Sequence, residues 1–161
     1  MKKGWITIAI VLIAVSALPA WAWSGKVTYI PDGDTLWVQP GQGGKPVKIR
    51  VNGIDAPEIC QAGGQAARAA LARRVAGRTV TLSTRRHDDY GRTVATIHLD
   101  GEDIAGWMVS QGQAWSYRYG RDGGYYLALQ LQAQSARRGL FADPAALPPR
   151  VFRKRHGSCH P

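Results

Sequence analysis

The stretch Val47-Lys48-Ile49-Arg50-Val51-Asn52-Gly53 alternates apolar and polar residues without a break. A period of two is that of a half-buried strand, so Val47, Ile49 and Val51 share one face and Lys48, Arg50 and Asn52 the other. Upstream, residues 35–39 alternate in the same way and residues 25–30 are β-rich; Pro31-Asp32-Gly33-Asp34 between them reads as a turn. Downstream, residues 65–76 are alanine-rich and predict a helix, with Ala67, Leu71 and Val75 on one line and Gly77 past the end. Residues 79–85 and 94–99 predict two more strands, and residues 104–111 a short helix. Residues 114–119 read either as a short edge strand or as an extended segment. Residues 125–138 predict the last helix, with Leu127 and Leu131 on one line, Arg137 and Arg138 in its last turn and Gly139 as the C′ residue. Beyond Pro144 the tail is basic and rich in proline. The order of elements is that of an α+β domain: a five-stranded OB-fold β-barrel with three α-helices.

The first 22 of the 161 residues read as a leader rather than as part of this domain. Lys2 and Lys3 are followed by an apolar run from Ile6 to Leu18, and Ala20-Trp21-Ala22 is an Ala-x-Ala cleavage signature. A membrane anchor is the competing reading, because the run approaches the ~20 residues that a spanning helix needs. The expected organisation is a signal peptide over 1–22, an OB-fold domain over 23–145 and a basic tail over 146–161. The product is exported, periplasmic or secreted, and monomeric, with no stable protein partner and no membrane attachment after cleavage.

Without Lys2 and Lys3 the chain keeps 19 basic and 11 acidic side chains, a net charge of +8. Such a charge favours polyanionic partners, whether nucleic acid, anionic lipid or acidic glycan. Cys60 and Cys159 are the only cysteines, and in an exported protein an even pair suggests a disulfide. That bridge would pin the tail beside the acidic loop at Glu58. Zinc held by His156, Cys159 and His160 is the alternative for this tail.

Three acidic or basic pieces accompany the strands: Asp32-Gly33-Asp34-Thr35, Arg50 followed by Asp55-Ala56-Pro57-Glu58, and Asp88-Asp89-Tyr90-Gly91-Arg92. Taken singly, each aspartate is ordinary turn chemistry. Taken together, Asp34 and Asp55 offer hard oxygen ligands suited to calcium or magnesium. Glu58 is close enough in sequence to Asp55 to orient or deprotonate a water. Arg50 and Arg92 offer two forks for phosphate oxygens. These are the parts that phosphodiester hydrolysis needs. Tyr90, Tyr117 and Tyr119 can stack on bases; Trp107 and Trp115 read as core or rim packing. His87 and His98 have no serine or cysteine partner and receive no catalytic role.

From Lys26 to Ala142 the chain resembles the staphylococcal nuclease family. The resemblance is carried by Asp32-Gly33-Asp34-Thr35, by Ile49-Arg50-Val51-Asn52-Gly53-Ile54-Asp55-Ala56-Pro57-Glu58 and by Asp88-Asp89-Tyr90-Gly91-Arg92. Three further stretches support it: Leu99-Asp100-Gly101-Glu102-Asp103, Gln111-Gly112-Gln113-Ala114-Trp115 and Ala136-Arg137-Arg138-Gly139-Leu140-Phe141. It implies calcium held by Asp34, Asp55 and the Ala56 carbonyl, Glu58 as general base, and Arg50 and Arg92 on the phosphate. It also implies Tyr90, Tyr117 and Tyr119 beside the substrate, and hydrolysis of DNA and RNA to 3′-phosphate ends with little sequence specificity. Ala56 stands where the type member has threonine; since that ligand is a main-chain oxygen, alanine keeps it. Gln130 stands where many relatives carry an acid, and no role passes to it. The alternative reading is an OB barrel that binds single strands without cutting them.

Overall fold

The computed structural model describes residues 22–117 and 122–159. The expected leader, apart from Ala22, lies outside these, as do Tyr119 and His160.

The alternating stretch forms β3 (Val47–Val51), with Ile49 and Val51 buried, Lys48 exposed and Arg50 half-buried. It pairs antiparallel with β2 (Thr35–Pro40), which pairs with β1 (Ala22–Tyr29). Strand β1 pairs in turn with β5 (Thr79–His87), and β5 with β6 (Thr93–Leu99). A parallel pairing of β6 with β3, Arg50 opposite Val94, closes the five-stranded barrel. Closure removes the open edges that a sheet of this size would otherwise expose. Of three two-residue strands, β7 (Glu102–Asp103) extends this sheet beside β6, while β4 (Ile54–Asp55) and β8 (Trp115–Ser116) form a separate pair. The segment left open between edge strand and extended chain is thus a strand at Trp115–Ser116, paired antiparallel with β4.

The barrel core joins Leu36, Val38, Ile49, Val51, Leu82 and Ile97, all buried, to the inner faces of the helices. Helix α1 (Gly64–Val75) buries Ala67, Leu71 and Val75, the expected line. Helix α2 (Ile104–Ser110) is capped by Asp103, whose side chain accepts from the amides of Ala105 and Gly106.

Helix α3 departs from expectation. It spans Leu127–Ser135, and its buried side is Tyr126, Leu129 and Ala133, not Leu127 and Leu131. Tyr126 and Leu129 pack against Gly106 of α2, which lacks a side chain to hold them off. The helix stops before Arg137 because Arg137 itself takes a left-handed turn, φ 51°. The Arg138 amide then reaches back to the Ala133 carbonyl and the Arg137 amide to Gln134, a Schellman closure that precedes Gly139.

The helix count is the larger correction. The tail read as irregular contains a fourth helix, α4 (Pro149–His156), preceded by a 3₁₀ turn over Gly139–Ala142. Proline at the first helical position costs no hydrogen bond, so a proline-rich approach starts this helix rather than preventing it. A disulfide between Cys60 and Cys159, Cα atoms 5.8 Å apart, fastens its far end to the loop after β4. Both sulfurs are therefore committed, which overturns the zinc alternative. Trp115 packs edge-on against Phe141 at 5.5 Å, and Trp107 lies against the core, as expected of packing residues.

Candidate active site

Three chain segments meet at one end of the barrel. In the first, Asp32 accepts the Asp34 amide at 3.0 Å and so tightens the turn into β2. Gly33 within that turn lies against α1: a Cβ there would sit 2.7 Å from Ala67 Cβ and 2.8 Å from Ala56 Cβ. The close approach sinks Asp34 to 7% exposure, where Oδ1 accepts from the Thr35 hydroxyl at 3.2 Å.

The second segment is the end of β3 with β4. Arg50 points off the apolar face, and its Nη1 donates to the carbonyls of Val51 and Ile54 at 2.8 and 2.9 Å. This fixes the guanidinium, so that Nη2 lies 3.1 Å from Asp34 Oδ2 and 3.3 Å from Asp55 Oδ1. The Ala56 amide donates to Asp34 Oδ2 at 2.8 Å. Asp55 is held in place by the β4–β8 ladder, opposite Trp115.

The third segment is α4. Arg153 forks onto Asp55, Nη2 to Oδ2 at 3.1 Å and Nη1 to Oδ1 at 3.3 Å, and Nη1 also donates to Glu58 Oε1 at 2.8 Å. Around Glu58 the chain turns tightly: its amide donates to the Gln61 side chain, and Gln61 Nε2 donates to the Leu147 carbonyl ahead of α4.

Burial pushes the Asp34 carboxyl up to about 7; Arg50 opposes this, while Asp32 and Asp55 reinforce it. Burial would lower the Arg153 guanidinium, but the hydrogen bonds to Asp55 and Glu58 outweigh it and hold the group firmly charged.

The expected residues therefore divide. Asp34, Arg50, Asp55, Ala56 and Glu58 converge. Arg92 instead pairs with Asp88, Nε to Oδ2 at 2.7 Å, and lies over the Tyr90 ring at 5.3 Å. Asp88 also accepts the amides of Tyr90 and Arg92, so it organises the β5–β6 hairpin. Burial raises the Asp88 carboxyl, but these Arg92 contacts outweigh it and leave it below the usual carboxylate range. Arg92 immediately precedes β6, two residues before Val94, the register partner of Arg50. Tyr90 is largely exposed; Tyr117 is exposed too, with its amide bonded to the Gly53 carbonyl.

Sequence reasoning missed two residues. Gln130, given no role, accepts the Ser116 amide at 2.8 Å and ties α3 to β8 behind Asp55. Arg153 went unremarked within a basic tail, although the expected Cys60–Cys159 bridge already placed that tail beside Glu58.

The donor set around Asp34 and Asp55 is entirely oxygen, and two carboxylates are held together at one guanidinium nitrogen. That chemistry fits a hard divalent cation. Among the described residues no three histidine, cysteine, aspartate or glutamate side chains are arranged to hold a metal. A cation here would therefore draw on main-chain or water oxygens as well as the aspartates.

A closed α+β barrel with paired carboxylates, a neighbouring glutamate and arginines at one rim defines a class of small domains built to handle phosphodiesters. The chain belongs to the staphylococcal nuclease family: residues 48–143 match the family described as staphylococcal nuclease homologue. It is 39% identical to protein ParB of Escherichia coli, over 91% of this chain and 88% of that protein. It is 33% identical to a protein named micrococcal nuclease from Shigella flexneri, over 91% of this chain and 90% of the relative. An uncharacterized endonuclease of Haemophilus influenzae is 37% identical, over 80% and 72% respectively.

Proposed function

We propose that this chain is an exported, calcium-dependent nuclease that hydrolyses DNA and RNA with little sequence preference and leaves 3′-phosphate ends. Its expected organisation is a signal peptide over 1–22, the catalytic domain over 23–145 and a tail over 146–161. The observation that carries the reading is the meeting of Asp34 and Asp55 at one nitrogen of Arg50, with Glu58 joined to Asp55 through Arg153.

Asp34, Asp55 and the Ala56 carbonyl would hold the cation, which when bound supplies Lewis-acid activation and neutralises charge at the phosphate. Glu58 takes a proton from the attacking water. Two carbonyls fix the Arg50 guanidinium beside the aspartates, where it stabilises charge developing on the phosphate. Arg92, just ahead of the strand that pairs with that of Arg50, leaves Asp88 to add a second fork as charge develops. Tyr90, Tyr117 and Tyr119 stack on bases, a contact that tolerates any sequence. The +8 surface draws in the polyanion, so activity falls as salt rises. The disulfide fits export, since such bonds persist in oxidising compartments.

The test is plasmid DNA and total RNA incubated with the purified protein and calcium. Glu58→Ser and Arg92→Ala should each lower turnover by about 10²–10⁴-fold while the protein still folds and melts cooperatively. Wild-type turnover in both variants would refute the roles given to them, and binding of the nucleic acid without any cleavage would favour a pure binding barrel.

A further inference from the structure

Glu58 needs a fixed position to act on one water, yet its side chain has a single hydrogen-bond partner among the described residues. That partner is Arg153, 2.8 Å away, on a helix 95 positions further along the chain. The same Nη1 also reaches Asp55 Oδ1, and Nη2 reaches Asp55 Oδ2. One rigid guanidinium thus sets the distance between the glutamate and the aspartate. A planar fork does this with little loss of freedom, which a lysine cannot reproduce.

The helix that carries Arg153 is itself fastened at both ends. Ahead of it, Gln61 holds the Leu147 carbonyl at 2.7 Å. Behind it, Cys159 is bonded to Cys60, two residues beyond Glu58, and Cys159 Sγ accepts the Cys60 amide at 3.1 Å. Both fastenings land on the short loop that bears Glu58. The loop and the helix therefore move as one unit, and Arg153 is kept over the glutamate rather than swinging free.

We infer, on the nuclease reading given above, that Arg153 is a positioning residue for the hydrolytic step: the disulfide-latched helix α4 is part of the active site, and its arginine locks Glu58 at a set distance from Asp55. Arg153 acts through Glu58 and not through the phosphate.

A double-mutant cycle of Arg153→Ala and Glu58→Gln tests this. Plasmid DNA with saturating calcium gives kcat and KM, calorimetry gives the calcium Kd, and melting curves give Tm for all four proteins. Arg153→Ala should lower kcat by about 10- to 100-fold, the scale expected when a catalytic group is misplaced. KM at saturating calcium should change less than about threefold, and calcium should bind more tightly, because Arg153 no longer holds both oxygens of Asp55. In the Glu58→Gln background the same substitution should change kcat less than about twofold, because the group it positions is already gone. Arg153→Lys should recover little of the loss. Where the double variant is too slow to measure, Tm provides the cycle: Arg153→Ala should lower it more in wild type than in the Glu58→Gln background.

An equal fall in kcat in both backgrounds would overturn the assignment and make Arg153 an independent phosphate contact. No fall, or a rise, would overturn it in favour of a bystander or a plug. If the wild-type protein cleaves nothing, the nuclease reading fails and the assignment with it; if wild type cleaves and the cycle is additive, only the assignment fails.

Discussion

The Ala56 amide donates to Asp34 Oδ2 at 2.8 Å, across 22 positions of sequence. This bond joins the turn before β2 to the loop after β4. It occupies one lone pair of a carboxylate already in contact with Arg50, and so limits where the two aspartates sit relative to each other. The site follows from how closely these two loops approach.

Gly33 permits that approach. A methyl group there would fall 2.7 Å from Ala67 Cβ and 2.8 Å from Ala56 Cβ, inside any real contact distance. Gly33→Ala should destabilise the protein by about 1–3 kcal/mol through overpacking, measured by urea unfolding. Because the strain acts on both loops, calcium affinity measured by calorimetry should fall as well.

Asp34 gives the protein a pH signature. Its carboxyl is raised by burial from 3.8 to about 7 in the folded chain. The folded state therefore holds a proton that the unfolded state has lost. The resulting stability is fully present below about pH 4 and disappears as pH rises through about 7. In chelator, the urea midpoint of wild type should drift downward across that window relative to Asp34→Asn, which cannot titrate. Parallel pH curves for the two proteins would show that Asp34 is already ionised when folded. Calcium binding near pH 6 should correspondingly release a proton, seen as a calorimetric heat that depends on buffer.

The disulfide closes a loop of 99 residues. On the chain-entropy view that contributes roughly 4–5 kcal/mol. Mild reduction, or Cys60→Ser with Cys159→Ser, should lower the melting temperature and free α4 while leaving the barrel folded. Hydrogen exchange should report this as lost protection confined to residues 149–156. Loss of protection throughout the barrel would mean that the tail staples the whole fold.

Much of this architecture is legible in the chain because barrel strands half-bury their side chains. Alternation in residues 47–53 reveals both the strand and the outward direction of Arg50. The line Ala67, Leu71, Val75 is legible for the same reason, at helical spacing. Helix α3 misleads because its own apolar line is the exposed one: Leu131 is 53% exposed, while the small Ala133 is buried. What faces the core there is set by the room beside Gly106, a tertiary fact with no periodic trace. Helix α4 is hidden by its prolines and its charge, since Arg150, Arg153, Lys154 and Arg155 resemble a solvated tail. The converging acids are visible as a set in the sequence. The pairing of Arg92 with Asp88 inside its own hairpin is not, because hairpin geometry depends on side-chain reach.

The central claim is that Asp34 and Asp55 form a cation site on which hydrolysis depends. Plasmid cleavage by wild type and by Asp34→Ala, each with calcium and with excess chelator, addresses it most directly. Wild type should cut with calcium and stop in chelator, and Asp34→Ala should lose most of its activity even with calcium. Cleavage by Asp34→Ala at the wild-type rate in excess chelator would contradict the account.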